Sequence, residues 1–279
     1  MFGKEYANHL DILKQSLGEI NEKYKKKINK NNIFIERLKM LYVSLFGIPE
    51  IGFQIRSLYF KKILTSNLLD KNLKKILDAG SGIGAYTFLL GKTFPKTVVT
   101  GGDIDRYKLK SCQTMANELG LRNVKFDYLN ITKANNKENY YDLVVNIDVL
   151  EHVGNYELAL ENFSNLLRKG GYLYIHAPQP NQKRIFNSLK KWYHEGHARE
   201  GIAKTELENS LKKMGFRIRI SKDTFGFFGR LAWELNHLTL SKSFILAGAI
   251  YPLLYGIAKM DLWLKNKNGL GVVILAEKR

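Results

Sequence analysis

Between Lys75 and Pro178, short apolar runs alternate with segments of helical periodicity. The apolar runs are residues 75–80, 97–104, 123–129, 141–148 and 171–178, and segments of helical spacing lie at 84–93, 106–119 and 155–168. Strands that alternate with helices form crossover units, which place the strands parallel in one sheet with helices on both faces. The pattern predicts an α/β fold with a Rossmann-like, doubly wound and mostly parallel sheet.

Composition excludes several other classes of protein. The chain has 279 residues, of which 45% are hydrophobic, and this excludes wholesale disorder. A single cysteine, Cys112, excludes a disulfide framework and a cysteine-rich metal site, and we expect no metal. The first residues carry Glu5 and Asp11 and resemble no signal peptide, so we expect a cytoplasmic protein.

The chain is predicted to consist of an N-terminal extension and one domain, and this domain contains the alternating pattern. Residues 1–74 are predicted as an N-terminal helical extension or lid, and residues 75–279 as one domain. In that domain, residues 216–223 and 268–279 are predicted strands, and a helical insertion at about 224–267 separates them.

The strongest local signal is the sequence ILDAGSGIGAY at 76–86. An apolar strand leads into Gly80, Gly82 and Gly84, and a helix follows. Glycines allow positive φ angles and a close approach of ligand to backbone, and the N-terminus of the helix offers free N–H groups. Because this loop follows the carboxyl end of a strand, it predicts a nucleotide-type ligand.

Asp103 ends the next predicted strand, where a carboxylate can accept both hydroxyls of a ribose. One of Asp103 and Asp105 can cap the helix that follows, which leaves the other to bind. The glycine spacing G-x-G-x-G differs from the G-x-G-x-x-G of dinucleotide sites, and Asp78 adds negative charge. The loop therefore favours a cofactor with an ammonium group over a nicotinamide dinucleotide.

Five segments in order resemble the motifs of class I S-adenosylmethionine-dependent methyltransferases of the small-molecule branch. They are ILDAGSGIGAY (76–86), VTGGDID (99–105), VKFDYLNI (124–131), YDLVVNIDVLEHV (141–153) and LLRKGGYLYIHAP (166–178). The resemblance covers about 76–180. It implies a seven-stranded sheet whose last strand is antiparallel, with S-adenosylmethionine as cofactor.

The resemblance also implies roles for single residues. The methionine end of the cofactor would be wrapped by the loop, the ribose bound by the acid after the second strand, and adenine contacted by the residues that follow. The implied cofactor residues are Asp78, Gly80, Ser81, Gly82, Gly84, Asp103, Ile104, Asn130, Asn146 and Asp148. Asn130 stands where the family usually has aspartate, so its bond to adenine is expected to be weaker.

Methyl transfer requires mainly alignment, with a base only if the nucleophile arrives protonated. His152 and His176 follow predicted strands and are the candidate bases, although each could instead serve as a structural hydrogen bonder. His197 and Arg199, in a Gly-His-x-Arg run, are the candidate substrate-binding residues. The acceptor is expected to be a small molecule methylated on oxygen, nitrogen or carbon, apolar or anionic, such as a quinone, lipid or glycan precursor.

The segment FILAGAIYPLLYGIA (244–258) carries no charge, is bordered by aromatic residues and lysines, and is too short to span a bilayer. It fits a buried lid, an apolar pocket, peripheral contact with a membrane, or contact with a protein partner.

The formal net charge of +18 is uneven, since residues 76–180 hold 11 basic and 11 acidic side chains. A basic flank can also bind nucleic acid, so an RNA- or membrane-associated methyltransferase or binding module is the alternative. The sequence NIDVLEH resembles the small-molecule branch, which makes nucleic acid the weaker hypothesis. A lysine-rich compositional bias would explain the charge without any function.

Overall fold

The computed structural model describes residues 50–133, 138–189 and 198–279, apart from the side chains of residues 244 and 245. Seven strands form one sheet in the order β3-β2-β1-β4-β5-β7-β6. Their bounds are β1 Lys75–Ala79, β2 Val98–Asp103, β3 Val124–Tyr128, β4 Tyr141–Ile147, β5 Leu167–Pro178, β6 Phe216–Thr224 and β7 Gly271–Lys278. Strands β1 to β5 pair in parallel, whereas β7 is antiparallel to both β5 and β6. The predicted fold class, with its antiparallel last strand, is confirmed.

Helices cover both faces of the sheet. They are α1 Ile51–Asn67, α2 Ala85–Thr93, α3 Arg106–Glu118, α4 Tyr156–Leu166, α5 Lys204–Lys213, α6 Phe227–Leu240 and α7 Phe244–Met260. One hydrophobic cluster joins the sheet to α1, α2, α3 and the α6–α7 pair, and a second joins the opposite face to α4 and α5. The middle strand β4 is buried along its whole length, as expected for a parallel strand covered on both faces.

Side-chain caps explain where two helices begin. Asp105 accepts hydrogen bonds from the N–H groups of Tyr107 and Lys108 and so caps α3, which leaves Asp103 outside the cap. Asn155 caps α4 in the same way. The α4 helix ends at Leu166 and β5 begins directly at Leu167, earlier than the glycine pair predicts.

The helical insertion predicted at about 224–267 forms α6 and α7, between β6 and β7. Hydrogen bonds join this insertion to α1. The Tyr59 hydroxyl donates to the Asp261 carbonyl oxygen, and the Ile51 N–H donates to Asn236 Oδ1. Residues 1–49, most of the predicted extension, lie outside the described residues. In the described ranges, each helix is too short or too polar to cross a bilayer.

Candidate functional site

The loop after β1 carries the glycines that the sequence singled out. Gly80, Gly82 and Gly84 have φ angles of 88°, 52° and 77°, the left-handed region that glycine adopts without strain. Gly80 is held closely, because its N–H donates to the Gly102 carbonyl at 2.7 Å and an added Cβ would lie 2.4 Å from Val149 Cγ2. Gly82 differs, since an added Cβ would meet no atom of the residues that the structure describes within 4 Å. The start of the loop therefore packs on β2 and on the segment that follows β4, and at Gly82 the loop faces space left open by the described residues.

Asp103 holds this loop from the end of β2. Its Oδ2 accepts from the Gly82 N–H at 2.8 Å, and its Oδ1 accepts from the Asp105 N–H at 3.0 Å. Ile104 follows with 65% of its surface exposed. The acidic side chain and the apolar one thus stand side by side at the carboxyl edge of the sheet.

A first cavity of about 650 Å³ opens at this edge. Six of the residues predicted to bind cofactor line it, together with one of the predicted bases: Gly80, Gly82, Asp103, Ile104, Asn130, Asp148 and His152. The structure thus gathers residues from four separate segments around one space of the size that small-molecule ligands occupy.

Three other predicted cofactor residues lie in or next to this loop but do not line the first cavity. Asp78 is 2% exposed and accepts from the Thr87 hydroxyl at 2.6 Å. Burial, with a smaller contribution from the nearby Asp103 carboxylate, raises the pKa of Asp78 to about 7. Ser81 is buried, and Gly84 is the N-cap residue of α2.

Two predicted asparagines behave differently from one another. Asn130 lines the first cavity, but its Oδ1 accepts from both the N–H and the hydroxyl of Thr132, so its oxygen is already engaged. Asn146 is fully buried and donates from Nδ2 to the Ala79 carbonyl at 2.7 Å. It links β4 to β1 and lines neither this cavity nor the next.

A second cavity of about 290 Å³ lies beside the first. Its polar wall is Arg56, Asp148, Glu151, His152, His176, Gln182 and Arg184, and its apolar wall is Pro178, Phe225, Trp233, Leu270 and Gly271. Asp148 and His152 line both cavities. These two residues therefore form the shared wall between the two spaces.

Asp148 is bonded to side chains from two other elements. It follows β4 with a φ of 51°, a conformation rare outside glycine. Its Oδ1 lies 2.5 Å from His176 Nδ1, and its Oδ2 lies 3.0 Å from an Arg56 guanidinium nitrogen. The strained backbone is thus held by side chains from β5 and α1.

The two candidate bases stand in different surroundings. His176 is 2% exposed, and its Nε2 lies 2.9 Å from the Thr224 hydroxyl, so both of its ring nitrogens have close partners. This arrangement holds the ring against Asp148 and makes His176 a positioning residue. His152 is exposed and faces both cavities. Of the two, only His152 is exposed to both spaces.

Glu151 was missed by sequence reasoning. Its side chain lines the second cavity and is 1% exposed, and among the described residues its Oε2 has no hydrogen-bond partner. Burial, reinforced by the Asp148 carboxylate, raises the pKa of Glu151 to about 9. This upward shift favours the neutral form of Glu151, which can donate a hydrogen bond in this wall. The apolar residues before Glu151 indicate a buried segment, but no sequence pattern indicates that the Glu151 side chain points into a cavity.

The predicted substrate-binding pair is only partly described. His197 lies outside the described residues. The Arg199 guanidinium donates to the Gly154 carbonyl at 2.8 Å and lies over the Tyr156 ring at 4.5 Å. Arg199 lines neither cavity and instead fixes the turn that forms part of the first one.

Arg56, Arg184 and Trp233 reach the second cavity from outside the five motifs. Arg184 lies over the Trp233 ring at 4.8 Å, and burial lowers the pKa of Arg184 from its ordinary value. These residues come from α1, the segment after β5, and α6, so sequence spacing alone could not bring them together. Across residues 50–133, 138–189 and 198–279, no group of three His, Cys, Asp or Glu side chains is placed to hold a metal ion.

A family model described as a methyltransferase domain matches residues 70–222, which is more than half of the chain. No curated protein matches the sequence.

Solved structures share the fold at low sequence identity. The cyclase SpnF is 18% identical with a TM-score of 0.57, and the match covers 79% of this chain and 80% of that one. Coclaurine N-methyltransferase, solved with N-methylheliamine and SAH, is 17% identical with a TM-score of 0.55, covering 79% and 70%. Geranyl diphosphate C-methyltransferase from Streptomyces coelicolor A3(2) is 14% identical with a TM-score of 0.58, covering 81% and 80%.

Proposed function

The chain belongs to the methyltransferase-domain family and uses S-adenosylmethionine, and from this we propose that it methylates a small amphiphilic acceptor bearing an anionic group. The observation that carries the proposal is the shared wall formed by Asp148 and His152. In the proposed arrangement the cofactor occupies the first cavity and the acceptor the second, so that the nucleophile meets the methyl group where the two cavities adjoin, beside Asp148 and His152.

The residues around the first cavity fit this cofactor. Gly82 presents backbone to open space, as close approach of a ligand requires. Asp103 supplies two carboxylate oxygens for ribose hydroxyls, and the exposed Ile104 supplies an apolar surface for a base. When bound, S-adenosylmethionine supplies a methyl group on a positively charged sulfur that an aligned nucleophile can take directly.

The charges of the second cavity support an anionic acceptor. Among the described residues, its wall carries the guanidinium groups of Arg56 and Arg184 and the carboxyl groups of Asp148 and Glu151. Burial raises the pKa of Glu151 and so favours its neutral form, which leaves the guanidinium charge in excess. The rings of Phe225 and Trp233 offer an apolar surface beside these charges. At about 290 Å³ the space suits a small acceptor or the head of a longer one.

His152 is the proposed base for an acceptor whose hydroxyl or amine arrives protonated. It is exposed to both cavities, whereas the His176 ring is occupied by Asp148 and Thr224. An imidazole nitrogen can accept a proton from such a group, which suits this role. Asp148, held by His176 and Arg56, fixes the geometry of the wall next to it.

The proposal is tested with the purified full chain in two steps. Calorimetric titration with S-adenosylhomocysteine measures occupation of the first cavity. A panel of acceptors that share one apolar body and differ only in a carboxylate, phosphate, amide or ammonium group is then assayed for release of S-adenosylhomocysteine. We expect turnover of the anionic members and a loss of about tenfold or more in Arg184→Met for those members alone. Equal turnover of neutral and anionic members would overturn the anionic assignment.

A further inference from the structure

The α7 helix exposes apolar side chains along one side. Leu246, Leu253 and Met260, spaced seven residues apart, are 44%, 68% and 40% exposed. Residues seven apart lie on the same side of a helix. Ala249, Pro252 and Gly256 fill the exposed side between them, and Lys259 is its one charged residue. We call this side, from Leu246 to Met260, the exposed stripe.

The opposite side of α7 already supplies the contacts with the core. Ala247, Tyr251, Leu254 and Ala258 are at most 2% exposed and belong to the protein interior. A surface helix normally carries polar residues opposite such a face. The apolar surface continues past the helix, where Trp263 and Leu264 are 79% and 51% exposed. A continuous apolar surface of this kind marks a binding surface.

The charges around the stripe have one sign. Between Gly226 and Gly269 the acidic residues are Glu234 and Asp261, and both are fully buried. Glu234 accepts from the N–H groups of Ile185 and Phe186, and Asp261 accepts from those of Gly226 and Gly229. Four exposed lysines border the apolar surface: Lys242, Lys259, Lys265 and Lys267. The charge that this insertion presents to solvent is therefore cationic.

This charge pattern distinguishes between the partners that could cover the exposed stripe. A second copy of the chain would bring the same lysines against themselves. Residues 1–49 hold 9 basic and 5 acidic side chains, so that segment would also bring net positive charge. A bilayer containing anionic lipid matches both properties, because its surface attracts lysines and its acyl boundary accepts apolar side chains.

We infer that the exposed stripe, with Trp263 and Leu264, docks on the surface of an anionic phospholipid bilayer. The helix lies in the interface with its apolar side among the lipid acyl chains, and the bordering lysines face the headgroups. Trp263 belongs at the headgroup level, where indole rings concentrate. The helix does not span the bilayer, in line with its length. This inference stands independently of the acceptor assigned above.

Co-sedimentation of the full chain with vesicles tests the docking. The vesicles are pure phosphatidylcholine or phosphatidylcholine with about a third phosphatidylserine. We expect binding to the anionic vesicles that weakens as sodium chloride rises, and much weaker binding to the neutral ones. The double variant Leu253→Glu/Met260→Glu should lose about tenfold or more of this binding. Leu158→Glu, which places a carboxylate on another exposed leucine in α4, is the matched control and should bind like the unmodified chain.

Calorimetric titration with S-adenosylhomocysteine shows that each variant remains folded. Failure of the unmodified chain to sediment with anionic vesicles would overturn the inference, and so would undiminished binding by the double variant. Two alternatives give distinct results that also overturn it. Dimerisation in sedimentation velocity that the double variant abolishes would assign the stripe to a second copy. If the unmodified chain and the double variant both retain a mixed RNA pool, and neither binds vesicles, the lysines would be assigned to nucleic-acid binding.

Discussion

The Asp148 carboxylate lies 3.0 Å from the Arg56 guanidinium, and this ion pair joins the carboxyl edge of the sheet to α1. Asp148 belongs to the region that the family model matches, whereas Arg56 precedes it. The α1 helix is therefore part of the site and not only a cover for the hydrophobic core. Its sequence position, well before the motifs, conceals this role.

Replacing Arg56 tests whether α1 takes part in catalysis. Arg56→Met leaves Asp148 without its guanidinium partner, and we expect turnover of an identified acceptor to fall by about 10- to 100-fold. Stability should fall by about 1–2 kcal/mol, less than for a fully buried pair because both side chains are about a quarter exposed. The affinity for S-adenosylhomocysteine should change little. Arg56→Lys should recover part of the turnover, and an equal loss of cofactor affinity and turnover would contradict this division of roles.

Neighbouring aspartates allow a matched test of the first cavity. Asp103→Ala removes the carboxylate proposed to bind ribose, and we expect the affinity for S-adenosylhomocysteine to fall by about 100-fold or more in calorimetric titration. Asp105 also lines the first cavity, but its carboxylate caps α3. Asp105→Ala should therefore cost about 1 kcal/mol of stability and weaken binding much less than Asp103→Ala does. If Asp103→Ala binds as the unmodified chain does, Asp103 has no role in the first cavity.

Gly80 and Gly82 share a positive φ but differ in their surroundings. Gly80→Ala should cost about 3 kcal/mol or more in urea unfolding, because its Cβ would overlap Val149. Gly82→Ala should cost only about 1 kcal/mol, the strain of the left-handed backbone, since its Cβ enters open space. The methyl group of Gly82→Ala instead occupies part of the first cavity, so its expected defect is in cofactor affinity. Equal destabilisation of the two variants would contradict this difference.

The raised pKa of Glu151 predicts a pH dependence of stability. Between its ordinary pKa near 4.5 and its folded pKa of about 9, the folded chain keeps a proton that the unfolded chain releases. Its contribution to the free energy of unfolding therefore falls as pH rises through this range. Glu151→Gln cannot ionise, so its stability relative to the unmodified chain should rise from near zero at about pH 4.5 to about 1–3 kcal/mol at about pH 8. Urea unfolding of both chains across this pH range measures the difference, and a difference that stays constant with pH would contradict the prediction.

The sheet and the first cavity could be predicted because their signals are local. An apolar run, glycines at fixed positions and an acid at the end of the next strand lie within a few residues of the groups they position. Asp103 and Asp105 illustrate this, since the prediction that one caps and the other faces the site follows from their spacing alone. Asn146 shows the limit: its strand was predicted, but its side chain turns into the sheet to bond Ala79.

The second cavity could not be predicted because it is assembled from distant segments. Arg56, Arg184 and Trp233 meet only after α1 and the insertion pack together, and their sequence neighbours carry no motif. For Arg199, a family-like run predicts a contact with substrate, and in the structure its guanidinium donates a hydrogen bond to the Gly154 carbonyl. A charged side chain in a loop gives no sequence signal for whether it faces a ligand or the backbone.

Thr224, the last residue of β6, is paired in register with Gly271, the first residue of β7. The chain therefore leaves the sheet and re-enters it at adjacent points, and residues 225–270 form a cassette that the sheet does not need for its own strand order. A tight hairpin could join the two strands without changing their pairing. Replacing residues 225–270 could thus change both the acceptor specificity and the membrane docking of such a scaffold. The strands and loops that form the first cavity would stay the same.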